Sequence, residues 1–185
     1  MIKKILVALI CLPLLVNSQS NYNLSLVGSY NWDGETYDSE GSDIWGWKNP
    51  ITGVEYALVG LNSGFSVVDL SSPQNPTESF FISGVNSTWR DIKTWGNHAY
   101  VITEGGGGLL IVDLTDLTGQ THTYYTGSYN SAHNIYIDEN GVAYIFGSDI
   151  GNGGALFLDV ATDPINPIYL GEWDDYYIHD GMARG

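Results

Sequence analysis

Three markers recur in the same order three times, and this recurrence limits the fold more than any other feature of the chain. Tyr56, Tyr100 and Tyr144 stand 44 residues apart, and Asp69, Asp113 and Asp159 are spaced by 44 and 46. Each aspartate closes a mainly apolar run: Phe65 to Val68, Leu109 to Val112, Ala155 to Leu158. A polar residue followed by isoleucine opens each unit, as Asp43-Ile44, Asp91-Ile92 and Asn134-Ile135. Self-similarity at such a period marks a repeat architecture, in which one supersecondary unit is copied along the chain.

Each unit reads as four short strands. The first runs from the polar-Ile pair to a glycine turn at Gly53, Gly96 or Asn140-Gly141. The second carries the tyrosine among the β-branched and aromatic residues that suit a pleated sheet. A glycine-rich loop follows (Asn62 to Gly64, Gly105 to Gly108, Ser148 to Gly154), then the run ending in aspartate. The fourth strand includes Phe80-Phe81-Ile82, Tyr124-Tyr125 and Ile168-Tyr169-Leu170. Leu109 to Val112 shows no polar alternation, as expected of a strand covered on both faces. The expected class is therefore all-β, a β-propeller of four-stranded antiparallel blades stacked face to face. A parallel β-helix is the rival, but its coils are shorter and need no hairpin glycine in every half repeat. The units span about 42–83, 90–127 and 133–173, and a fourth begins at about 179, which predicts a partial propeller of three blades and the start of another. Leu26 to Asn31 echoes Thr126 to Asn130, which follows a fourth strand, so an outermost strand of a preceding sheet is expected there.

Composition removes other classes. Charged residues are 15% of the chain and aromatics 13%, with 23 glycines in 185 residues. Low charge with many aromatics argues against disorder, and the residue mix does not suit a helical bundle. Six basic residues against 21 acids give a net charge of −15. That balance excludes ordinary binding to a nucleic-acid phosphate backbone.

Lys3 and Lys4 precede an apolar run from Ile5 to Val16, and Asn17 to Ser20 are small and polar. This pattern predicts a secretory signal peptide over 1–18 and a domain over 19–185. The run is shorter than the about 20 residues needed to cross a bilayer. A buried N-terminal strand or helix is the alternative. Ile10 before Cys11 is too large for a lipoprotein cleavage box. The exported chain would then have no cysteine and no transmembrane segment, and would be held by its core alone. Lys48, Arg90, Lys93 and Arg184 would remain against all 21 acids.

With these residues in view, the chain resembles the secreted bacterial LVIVD-repeat proteins, in particular the group called choice-of-anchor B. Leu110-Ile111-Val112-Asp113 is close to the namesake motif and Ser66-Val67-Val68-Asp69 is a looser copy. Ser42 to Trp47, Ser87 to Lys93 and Ala132 to Ile135 are also similar to that family. The resemblance implies an exported propeller-like domain, often tethered by a separate C-terminal segment; none is recognised here. It brings no reaction.

Function is expected on one face. In an up-and-down sheet the loop between strands two and three shares an end with the connection between blades. From Gly84 to Asp91 and from Gly127 to Asn134 is 7 residues, but from Gly28 to Asp43 is 15. The extra residues bring Asp33, Glu35, Asp38 and Glu40, which with Asp43 form a candidate calcium site, since clustered carboxylates suit a hard cation. A solvated acidic turn is the preferred alternative. Asp91, His133, His179 and Asp180, with Asp43, each open an innermost strand and should converge at the mouth of the central channel. There they could bind a divalent metal; the preferred alternative is that they hydrogen-bond backbone groups of adjacent blades and pin the ring. Arg90 is read as a partner that neutralises Asp91. The repeat-closing aspartates are read as turn acceptors. His98 and His122 show no partner. No G-x-S-x-G elbow, H-E-x-x-H helix or P-loop occurs. The expected function is a non-catalytic module, without an assigned cofactor, that binds an extracellular protein or glycan. Trp32, Tyr37, Trp45, Trp89 and Trp173 are the candidate contact aromatics. The alternative is an extracellular metal-dependent hydrolase or lyase working at the channel mouth.

Overall fold

The computed structural model describes residues 24–184, and the signal-peptide reading and Cys11 lie outside them. Twelve strands form three four-stranded sheets with no helix among the described residues. The first sheet contains β1 (Gly41–Lys48), β2 (Glu55–Leu61), β3 (Gly64–Asp69) and β4 (Thr77–Ser83). The second contains β5 (Arg90–Trp95), β6 (His98–Thr103), β7 (Leu109–Asp113) and β8 (His122–Tyr125). The third contains β9 (Asn134–Ile137), β10 (Val142–Phe146), β11 (Ala155–Asp159) and β12 (Ile168–Trp173). Within each sheet, consecutive strands pair antiparallel in simple order. These are propeller blades, with β1, β5 and β9 innermost and adjacent to one another. The expected strands of the three repeat units and the glycine turns between them are all found.

Stacking explains the unbroken apolar runs. Successive side chains of a strand point to opposite faces. Ala99 and Val101 of β6, with Leu110 and Val112 of β7, join Leu58, Phe65 and Val67 of the first sheet in one buried cluster. Their neighbours Tyr100, Ile102, Leu109 and Ile111 join Ile135, Ile145 and Leu158 of the third sheet in another. The middle blade is therefore a shared wall, and no position on β7 before Asp113 can be polar without facing a core.

The closing aspartates are equivalent in space, but the tyrosines are only partly so: Tyr100 lies opposite Ile111 and Tyr144 opposite Phe157, each two residues before the closing aspartate, whereas Tyr56 lies opposite Asp69 itself and Leu58, opposite Val67, fills the equivalent place in the first blade. Tyr56 faces the second sheet and Tyr100 faces the third, where its hydroxyl donates to Pro164 O at 3.0 Å. Tyr144 occupies the strand position of Tyr100 and packs with Phe157 at 5.4 Å between ring centres. The closing aspartates hold the following turn. Asp69 accepts from Ser71 N–H at 2.6 Å, Asp113 from Thr115 N–H at 2.8 Å and Asp159 from Ala161 N–H at 2.8 Å.

Two expectations at the ends of the repeat array need correction. Residues 24–40 form no strand, and Tyr30, Trp32 and Tyr37 instead pack on the outer face of the first sheet beside Val59, Leu61 and Val68. The aromatic side chains in this segment make a strap, because three large rings gain more by covering an apolar face than by forming a lone strand edge. Residues 179–184 likewise form no strand; they lie along the third blade. No helix among the described residues is long and apolar enough to cross a membrane.

Candidate functional site

The blade starts converge as the topology requires. Asp43, Asp91, Asn134 and the His179-Asp180 pair surround a cleft of about 330 Å³ at the loop-rich end of the innermost strands. Two hollows of about 580 and 370 Å³ lie elsewhere; the larger is lined by His98, Asp113, His122 and Asp163, but no three of these bring ligand atoms within 4.8 Å of one another.

The carboxylates pin the blades. Asp43 Oδ2 accepts from Ile92 N–H of the second blade at 3.1 Å. Asp91 Oδ2 accepts in turn from Ile135 N–H of the third at 2.9 Å and from Asn134 Nδ2 at 2.6 Å. Asp91 Oδ1 takes Ile92 N–H at 2.8 Å and Lys93 Nζ at 2.7 Å. Both oxygens of Asp91 are thus engaged by protein donors, which removes it from the candidate metal ligands. Burial pushes the Asp43 carboxyl up to about 6, helped by its bond to Asp91 and that group's charge. Burial also works to raise Asp91, but its bonds from Asp43, Ile135 N–H and Lys93 outweigh it and hold Asp91 below the usual range. Below about pH 6 the proton of the pair therefore resides on Asp43 rather than on Asp91.

Arg90 does not neutralise Asp91. Lys93 does, reaching Asp43 as well at 3.9 Å and lying 4.6 Å from the ring centre of Trp45. Arg90 turns into the first blade with 4% exposure, and its guanidinium donates to Leu61 O at 3.0 Å and Val85 O at 2.7 Å. It is a bracket between blades rather than a counter-ion.

Beside the pinned carboxylates lies a second group with a different chemistry. His133 enters from the start of the third blade, its Nδ1 bonded to Glu104 Oε1 at 2.6 Å. Gly147, at φ 61°, lets the two rings of this corner close in: a Cβ there would lie 2.8 Å from His133 Cβ and 2.9 Å from Tyr177 Oη. The chain after β12 folds back along the loop from Ser148 to Gly154. Asp174 accepts from Asn152 N–H at 2.9 Å and Gly154 N–H at 3.0 Å, and Ile178 N–H donates to Gly153 O at 3.0 Å. This return places the His179 ring 3.8 Å from that of His133, centre to centre. His179 Nδ1 bonds Asp180 Oδ2 at 2.5 Å. One ligating atom from each of His133, His179 and Asp180 lies within 4.8 Å of the others.

The candidate calcium loop is not gathered. Asp33 and Glu35 are exposed, and Asp38 Oδ1 accepts only a local bond from Glu40 N–H at 3.1 Å. Asp43 belongs to the channel. Among the described residues, no three of these carboxylates form a ligand group. Glu78 of β4 is the acid that organises this region: it accepts from Trp32 Nε1 at 2.8 Å, Tyr37 Oη at 2.7 Å and Ser66 Oγ at 2.5 Å. Tyr37 stacks on Phe81 at 3.8 Å with parallel rings. Sequence reasoning missed Glu78 and Glu104. Glu104 had a signal, being the acid between strand two and the glycine loop, which the topology places on the loop-rich face.

Of the candidate contact aromatics, Trp32 and Tyr37 are half-buried in the strap. Trp45 donates to Thr94 Oγ1 at 3.1 Å inside the channel wall. Trp89 remains 54% exposed at the cleft, 6.2 Å from His133. Tyr177, also 54% exposed, stands 6.4 Å from His179, and Trp173 pairs with Tyr176 at 6.1 Å. His122 bonds Gly119 O at 2.8 Å, and neither it nor His98 belongs to this site.

Residues 54–83 and 88–130 match the LVIVD repeat model. The matched stretches carry β2 to β4 and the whole second blade, so the LVIVD motif residues Leu110 to Asp113 are one third strand of a propeller blade. The third blade repeats the same topology outside the matched LVIVD stretches. No curated protein and no solved structure matches the chain.

Proposed function

We propose that this chain is a secreted, non-catalytic LVIVD-repeat propeller domain that binds an extracellular partner through its loop-rich face, and that the partner is a glycan rather than a protein. The observation that carries this reading is the arc of rings Trp89, His133, His179 and Tyr177 along an acidic cleft, with Trp89, His179 and Tyr177 exposed around the half-buried His133. Aromatic faces receive the C–H faces of sugars, and neighbouring carboxylates accept their hydroxyls. The net charge of −15 turns away polyanions and leaves neutral or amino sugars as the fitting class. The basic start and apolar run of the first 18 residues support export, and the resemblance to choice-of-anchor B proteins supports a cell-surface setting.

A panel of immobilised neutral and amino glycans tests this. Saturable binding that weakens about tenfold in Trp89→Ala, a ring already exposed and so removable without unfolding, supports the reading. No binding to any glycan, together with capture of one purified surface protein, would replace it by a protein-binding role. A second reading, an extracellular metal-dependent hydrolase or lyase, draws on the imidazole pair; it requires a bound metal and turnover of the same glycans.

A further inference from the structure

We propose that His133, His179 and Asp180 form a divalent transition-metal site at the edge of the cleft, with Glu104 as the group that orients His133. The proposal stands independently of glycan binding.

Four observations converge on it. Two imidazoles lie 3.8 Å apart between centres, and one atom from each, with a carboxylate oxygen, falls within 4.8 Å of the others. The donors come from two distant segments, the start of the third blade and the return after β12, so their meeting is a tertiary arrangement and not a local acidic run. Glu104 takes Nδ1 of His133 at 2.6 Å, which leaves Nε2 as that ring's free lone pair. A carboxylate on the far nitrogen is the usual outer partner of a metal-bound histidine, fixing its tautomer and raising its basicity. Finally, Lys93 sits on the Asp91 and Asp43 side, and among the described residues no salt bridge joins His133, His179 or Asp180 to a lysine or arginine. The cluster therefore lacks an internal cation.

The donor set selects the ion. Two imidazole nitrogens and one carboxylate oxygen suit Zn²⁺ and its neighbours, whereas Ca²⁺ and Mg²⁺ require mostly oxygen ligands. Ligand atoms on tetrahedral Zn²⁺ lie about 3.3 Å apart at the usual bond lengths. The present spread of up to 4.8 Å therefore closes by up to about 1.5 Å on binding. His179 and Asp180 are two-thirds exposed and can make that movement without disturbing the blade. Three protein ligands leave an open position for water or a ligand oxygen. In the cleft that position would lie near Trp89.

Equilibrium dialysis of the full chain against Zn²⁺, with elemental analysis, and titration with Co²⁺ read by its visible absorption test the site. The expected result is one saturable equivalent and the strong d–d bands of low-coordinate Co²⁺. His179→Ala, at an exposed position, should abolish both, and Glu104→Gln should weaken binding by about 10–100-fold. The double variant His98→Ala, His122→Ala should bind as the native chain does. No saturable binding by the native chain overturns the proposal. So does His179→Ala binding as tightly as native with the same absorption. Loss of glycan binding in Trp89→Ala with the Co²⁺ spectrum intact would show that the two proposals stand apart.

Discussion

Asp33, Glu35, Asp38 and Glu40 lie within eight residues of one another and stay apart, whereas Asp43, Asp91 and Asn134 are more than 40 residues apart in sequence and meet. The first region is dense in charge, but its backbone course is set by Trp32 and Tyr37 reaching for Glu78, and the acids are left pointing wherever the strap leaves them. In the second, each residue opens an innermost strand, and stacking the sheets around one axis brings equivalent positions to one place. Local density in sequence is a poor guide to a site in a repeat fold. Equivalence between repeats is a better one.

The comparison is broken most severely at Asp91. Asp91→Ala removes the acceptor for Ile135 N–H, Asn134 and Lys93 in one step and leaves Lys93 only the more distant Asp43, at 3.9 Å, as a counter-charge. The expected loss is about 3–5 kcal/mol of unfolding free energy, measured by urea titration. A loss below about 1 kcal/mol would show that the blades are held by apolar stacking alone. Next comes Glu78→Ala, which strands Trp32, Tyr37 and Ser66 as donors; about 2–3 kcal/mol is expected. The strap should become sensitive to limited proteolysis between residues 33 and 40 in that variant while the blades remain resistant.

Asp43→Asn sharpens the contrast through pH. The Asp43 carboxyl rises from 3.8 to about 6 in the folded chain, so its ionisation opposes folding. The native chain should lose stability relative to Asp43→Asn as pH rises through the interval from about 4 to about 6, and the two should coincide below it. The amide mimics the protonated acid, as Asn134 does when it donates to Asp91 at 2.6 Å. Equal pH profiles for the two proteins would overturn the placing of the proton on Asp43. The smallest effect is expected in the strap: Asp33→Ala and Glu35→Ala should each change stability by less than about 0.5 kcal/mol. Added Ca²⁺ should not shift the melting temperature of the native chain through those residues; a shift abolished by either variant would restore the calcium reading.

The legibility of this protein divides along the same line. Strand positions were readable because the hydrophobic pattern is doubly constrained: Leu109 to Val112 must satisfy a core on each face, so any polar residue there would have been expelled. The convergence of Asp43, Asp91 and the start of the third blade followed from repeat equivalence, whereas His179, expected there as the start of a fourth unit, arrives instead by the return after β12. Their roles did not follow. Asp91 and Arg90 are neighbours in sequence, but on a strand neighbours point to opposite faces, and Lys93, two residues on, is the one that reaches Asp91. The echo of Leu26 to Asn31 was real as a sequence pattern but forms no strand, since its rings found an apolar blade face to cover.

By itself, then, the amino-acid order determined the repeat, the strand count per blade, the alternation of faces and the end of the molecule where the blade starts and glycine-rich loops gather. These follow from periodicity and turn chemistry, which act over a few residues. The tertiary structure alone decided which carboxylate pins a blade, which lysine neutralises it, and that His179 lies against His133 with Glu104 behind it. Those outcomes depend on rotation between sheets and on the path of the return after β12, distances that no local pattern along the chain encodes.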